Sequence, residues 1–440
     1  MAIAPSHTPF ARAVGRPALS IFTLAALTLL SAGIVCAGDW PQWNGPQRDA
    51  HANETGLLKT WPEDGPKLLW SFKDSGVGIS APAVVGGKVF ALGSRKGNEC
   101  VIALDNRGTE IWTSKIAPPF DFEGNDWSLG PNSTPAVDGD ALFALGSQGV
   151  LVCVETATGK ERWRKDLAAE LGAEVNPIGG GKGGWGFSWS PLVDGENVII
   201  TPGGANGLVA ALDKKTGKLI WQSHDVAEPC TYASPIVIES GGVRQYVVPK
   251  QSGAVGIEAK TGKLLWTYRS ARAWPDIAAV TPIFRDGQVF ITAWKGGCDL
   301  FKIERNGDTF DTAQVYAKNT LGNAHGGVVL LDGHLYASHD MRGWRCLDFK
   351  TGEQLWEDMK TIGVGAGIVA DGKMIVLGQD TDKVSLVEMT PAGVKIAGQF
   401  KLPAVSQFRR RGTKAWAHPV VADGRLYIRE QEMIFCYQLR

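Results

Sequence analysis

Apolar residues in this chain fall in short runs, four to eight residues long, broken by turn residues rather than spaced on a helical period. Typical runs are "TPAVDGDALFAL", "SPLVDGENVIIT", "TPIFRDGQVFIT" and "HPVVADGRLYIR", each two half-buried segments around a Gly-bearing turn. The turn glycines are Gly87, Gly139, Gly195, Gly242, Gly287, Gly333, Gly372 and Gly424. A recurring interval of roughly 40–55 residues built from short strands predicts a β-propeller.

A second phrase completes each unit. "VETATGKERW" ends at Trp163, "LDKKTGKLIW" at Trp221, "IEAKTGKLLW" at Trp266 and "LDFKTGEQLW" at Trp356, with a clipped "LDNRGTEIW" ending at Trp112. Each reads as a third strand closing on an acid, a T-G-K turn, and a fourth strand carrying Trp. Glycine there takes a positive φ cheaply and Thr bonds back to the backbone. The eighth unit has three strands, "HPVV", "RLYI" and "MIFCYQL", and then ends. A lone "KLLWSF" with Trp70 precedes the first unit. The expected fold is therefore all-β, an eight-bladed propeller of four-stranded antiparallel blades over 67–440, its ring closed by the N-terminal strand. Closure leaves no free sheet edge at the seam. Trp70, Trp112, Trp163, Trp221, Trp266 and Trp356 should dock between blades, while blades five and seven are degenerate at that slot. Residues 38–66, with "DWPQWNGPQRDA", should form an ordered arm over the propeller's face or side.

The repeat A-x-D-x-x-T-G-K-x-x-W, met in full by "ALDKKTGKLIW" from Ala211 to Trp221, resembles the tryptophan-docking repeat of quinoprotein alcohol dehydrogenases. Those are eight-bladed propellers that use pyrroloquinoline quinone (PQQ) and Ca²⁺. The repeat also occurs in non-enzymatic relatives such as the outer-membrane assembly lipoprotein, and the chain is placed closer to these. The resemblance implies, for an enzyme, a quinone between a Trp and a disulfide of adjacent cysteines, a Ca²⁺ cage and an Asp base. No adjacent cysteine pair exists here and no motif selects a catalytic Asp.

The first 37 residues read as a signal peptide. Arg12 and Arg16 precede an apolar run from Leu19 to Val35, and Val35 and Ala37 are small residues placed for cleavage after Ala37. Export to the periplasm or beyond follows. A membrane anchor is the competing reading, and bulky Ile34 and Val35 disfavour lipidation of Cys36. Removing the segment leaves 43 basic residues against 45 acidic, since 45 − 2 = 43. That balance argues against nucleic acid and anionic membranes as partners. Cys100, Cys153, Cys230, Cys298, Cys346 and Cys436 remain; they read as core thiols, with a disulfide framework as the alternative.

Other chemistry is thin. "GGGKGG" at 179–184 lacks the Ser or Thr of a phosphate loop. His224, His325, His334, His339 and His418 form no metal motif, and "QDTDK" at 379–383 reads as a hairpin turn. No metal site is expected. The stretches just before each first strand are better furnished. Trp127, Asn132, Trp185, Trp189, Tyr232, Trp274, Asp276, His325, Arg411, Trp416 and His418 all fall there and should crowd one mouth of the central channel. Rigid aromatics with Arg and a few polar groups suit a binding surface. The expectation is an exported, monomeric, non-catalytic scaffold for a protein, peptide or glycan, without cofactor. The alternative is a PQQ- and Ca²⁺-dependent dehydrogenase of alcohols or sugars.

Overall fold

The computed structural model describes residues 38–440 except 121–129, 176–183, 252, 273–277, 324, 340–341 and 410–413. All described residues belong to the compact unit Val35–Arg440. Everything inferred above for the first 37 residues lies outside them. Eight sheets are laid out in sequence order. Blade one shows the pattern: strand A is Ala83–Val85, B Lys88–Arg95, C Asn98–Leu104 and D Glu110–Ala117. Strand A of later blades is Ala136–Asp138, Leu192–Asp194, Ile236–Ser240, Ile283–Arg285, Val328–Leu331, Gly365–Ala370 and Val420–Ala422. Blade eight takes its D strand from Leu68–Phe72, which pairs antiparallel with Met433–Gln438, so the ring closes as the repeat count requires.

Local chemistry explains the turns. At six of the eight A–B hairpins both central residues have positive φ, as at Asp286 and Gly287 or Asp332 and Gly333. This is the two-residue geometry whose twist matches that of the strands. Gly139 and Gly195 open the other two turns with positive φ at the first position alone. In the T-G-K turns the closing acid holds the loop. Asp213 Oδ1 accepts from the Thr216 N–H at 2.8 Å and the Thr216 hydroxyl at 2.7 Å, and Gly217 turns at φ 69°.

That turn is also a socket. An ideal Cβ on Gly217 would sit 2.7 Å from the Trp163 ring of the preceding blade; Gly108 meets Trp70, Gly159 meets Trp112 and Gly262 meets Trp221 in the same way. Three of these indoles donate onward: Trp70 to Asn106 O, Trp112 to Thr156 O and Trp163 to Lys214 O. Blade five has no T-G-K turn, so Trp266 instead donates to Gln245 Oε1 at 2.7 Å and packs edge-on against Phe301.

The two degenerate blades are filled by other aromatics. In blade five Tyr316 occupies the slot, its ring on Gly352 and its hydroxyl donating to Phe349 O. In blade seven the arm supplies Trp61, which covers Gly398 and stacks edge-on against Phe400. All six described cysteines are buried. Cys153, Cys346 and Cys436 lie directly opposite Trp163, Trp356 and Trp70 on the neighbouring strand. Burial pushes the Cys153 thiol up to about 12.

The arm departs from expectation. Instead of lying over a face or side, it runs through the middle of the ring, along the innermost strands. Trp40 exchanges both backbone bonds with Val84, and Pro41 O accepts from Val137 N. Arg48 donates to Ser190 O and Pro191 O, Trp43 to Thr281 Oγ1, and His51 lies 3.0 Å from Leu330 O. His51–Ala52 then pairs parallel with blade seven's strand A, and Gly38 O accepts from Asp423 N of blade eight. Seven of the eight blades are thus tied to one segment. Strand A of each blade offers an unpaired inner edge, and the arm's backbone satisfies part of it.

Candidate functional site

The arm enters at the hairpin-turn side, where Asp39 accepts from Gly86 N, and reaches the level at which the A strands begin. There it forms the floor of a cavity of about 330 Å³. Trp43, Asn44 and Arg48 come from the arm; the lead-ins to strand A of seven blades form the wall.

Six predicted residues meet in that wall: Asn132, Trp185, Tyr232, His325, Trp416 and His418. Trp189 does not join them. It is fully buried, edge-on to Phe187, in the core shared by blades two, three and four. Trp127, Trp274, Asp276 and Arg411 fall outside the described residues. Sequence reasoning missed the floor, together with Thr281, Ser188, Ser234 and Trp294. The second Trp of "DWPQWNGPQRD" was the available signal, but only the path of the arm carries it to the channel.

The rings are held by defined contacts. Trp43 lies 4.5 Å from the His418 ring, Trp185 5.1 Å from Tyr232, and Trp416 edge-on 4.4 Å from His325. Gln379 Oε1 faces both the Trp416 indole at 3.1 Å and His325 Nε2 at 2.7 Å, while its amide nitrogen donates to Asp380. Lys414 in turn pairs with Asp380, and Arg409 with buried Glu430.

Burial sets the charge state. Desolvation brings His325 down to about 4 and His418 down to about 3, so both rings are neutral at neutral pH. It also lowers Arg48, to about 9, leaving it charged. The Arg48 Nη atoms donate to Ser190 O, Pro191 O and Gln42 Oε1, while its buried Nε has no partner among the described residues. Burial likewise raises the Tyr232 phenol to about 12.

The described residues do not fit a Ca²⁺-bound quinone. Among the described residues, no three His, Cys, Asp or Glu side chains converge to hold a metal, and the cavity's one carboxylate is that of exposed Asp49. PQQ is a tricarboxylate, and Arg48 is the one cation among the described residues lining the cavity. No redox step follows from this geometry. What the site can do is enclose a ligand between aromatic faces, with few polar groups to orient it.

Among the described residues no helix is long and apolar enough to cross a membrane. A family model described as outer membrane protein assembly factor BamB matches residues 95–357. The BamB of Burkholderia pseudomallei is 23% identical over 288 residues, which is 64% of this chain and 66% of that protein. Quinohemoprotein alcohol dehydrogenase ADH IIB of Pseudomonas putida is 26% identical over 200 residues, 42% of this chain and 26% of the relative. The chain thus spans less than two thirds of the length of either. Among solved structures, BamB from Moraxella catarrhalis superposes with a TM-score of 0.60 at 18% identity, covering 85% of this chain and 98% of that one. Quinohemoprotein alcohol dehydrogenase from Comamonas testosteroni gives 0.65 at 14% identity, covering 93% and 81%. The match over 95–357 takes in blades two to five entire and most of blades one and six, and on it this chain belongs to the PQQ-like propeller family that the BamB model describes.

Proposed function

We propose that this protein is an exported, non-catalytic binding propeller. It leaves the cytoplasm on the 1–37 segment, is cleaved after Ala37, and works in the periplasm or outside the cell. Its aromatic channel mouth and the surrounding loops engage a protein, peptide or glycan partner. One observation carries this reading: the arm fills the channel from one side and leaves on the other a cavity walled by indoles and neutral imidazoles, without a carboxylate cage among the described residues. Membership of a family whose model describes an assembly factor supports it. Enclosure by rigid rings gives contact area at low entropic cost.

The test is titration of the purified 38–440 chain with PQQ, with and without Ca²⁺, following tryptophan emission and the quinone absorption band. No saturable change is expected. Ca²⁺-dependent saturation together with dye reduction on an alcohol or sugar would establish the dehydrogenase instead.

A further inference from the structure

We infer that the cavity at the channel mouth takes a neutral sugar residue, stacked on an indole and donating a hydroxyl to Nδ1 of His325. This rests on the binding role proposed above and names the ligand class.

The polarity of His325 follows from its neighbours. An indole N–H can only donate, so the Gln379 atom facing Trp416 must be the amide oxygen. The amide nitrogen then points at the Asp380 carboxylate, as its 2.8 Å contact requires. His325 Nε2 faces the same oxygen at 2.7 Å and must therefore carry the proton. Because the ring is neutral, Nδ1 is left as a bare acceptor on a half-buried side chain that lines the cavity. Gln379 itself is buried behind the wall, which locks the tautomer.

Charge and shape narrow the ligand. Arg48 is the one cation among the described residues lining the cavity, and both its Nη atoms already donate to carbonyl oxygens, while nearby Lys414 pairs with Asp380 and Arg409 with Glu430. Asp49 lies exposed, and its Oδ1 accepts from the His51 N–H. A wholly apolar ligand would cover the Nδ1 acceptor and leave it unmet. Trp43, Trp185, Trp294, Trp416 and Tyr232 put five aromatic rings around the cavity. A pyranose has both features, C–H faces for the rings and hydroxyl donors for the imidazole. A cavity of about 330 Å³ is at the small end of the roughly 300–1,000 Å³ typical of ligand pockets, which suits one sugar unit of a chain better than a folded domain.

The experiment is saturation-transfer NMR and tryptophan emission on the 38–440 chain. The probes are cellotriose, chitotriose, maltotriose, a galacturonic acid trimer and a Phe-Trp-Phe peptide. At least one neutral trisaccharide should saturate and shift the emission, with the acidic trimer at least tenfold weaker. His325→Phe should weaken the neutral sugar at least tenfold with unchanged near-ultraviolet dichroism. Should that variant misfold, Trp294→Leu at the same cavity should give a similar loss. The inference is overturned if no neutral sugar saturates on folded protein, or if a sugar that does is unaffected by these substitutions. Saturation by the peptide alone would overturn the sugar and leave the binding propeller standing. Ca²⁺-dependent PQQ binding would overturn both.

Discussion

The Trp43 indole donates to Thr281 Oγ1 at 2.7 Å, joining residues 238 apart in sequence and pinning the tip of the arm to blade five. The bond holds the cavity floor in place. Thr281→Val keeps the shape and removes the acceptor. It should lower stability by about 1 kcal/mol, the ordinary net worth of a partly buried hydrogen bond. Urea unfolding measures that loss. Limited proteolysis should also cut the arm sooner in the variant, and an unchanged cleavage rate would mean the other arm contacts hold it alone.

The glycine sockets predict a sharp contrast. Gly217 turns at φ 69° and has the Trp163 ring within 2.7 Å of where a Cβ would sit; Gly139 turns at φ 58° with nothing within 4 Å. Gly139→Ala should cost about 1–2 kcal/mol, for backbone strain alone. Gly217→Ala adds overpacking of about 1–3 kcal/mol. Equal losses in thermal or urea midpoints would show that the indole yields freely.

His418 makes stability depend on pH. Its folded value, about 3, lies below the ordinary value of 6.5, so below pH 6.5 the unfolded chain binds the proton and the folded chain does not. Stability contributed by this group is therefore full above pH 6.5 and falls as the pH drops toward 3. At pH 4.5 the loss is about 2–3 kcal/mol. Buried Glu99 and Asp299, whose values burial raises, act with the opposite sign. The assignment is thus read as a difference: His418→Gln should show a smaller drop in urea midpoint between pH 7 and 4.5 than the parent chain. An identical drop would place the acid sensitivity elsewhere.

Much was legible in the chain because a propeller repeats its instructions. Asp213, Thr216, Gly217 and Trp221 act over a few residues, through a turn and one neighbouring strand, and the same spacing recurs often enough to count blades. Ring closure followed from strand arithmetic, since an eighth blade short of one strand needs the spare strand around Trp70. The position of the A-strand lead-ins along the chain is enough to bring six candidate residues to one cavity wall.

Other features depended on contacts between distant segments. Tyr316 substitutes for a docking Trp because its ring reaches Gly352 in the next blade, and Trp61 serves blade seven from the arm. No local spacing announces either. Trp189 and Trp185 stand four residues apart in one loop, yet one is core and the other cavity wall, a choice made by how the loop packs over its neighbours.

By itself, then, the sequence determined the repeating blade, the number of blades, the closing strand and the face on which aromatic loops gather. These depend on local turn chemistry and on a two-residue side-chain period. Only the tertiary structure decided that residues 38–52 run through the ring and floor the cavity, and that His325 presents a bare nitrogen. Those outcomes depend on inner strand edges, indoles and amides that meet solely when all eight blades have closed around one axis.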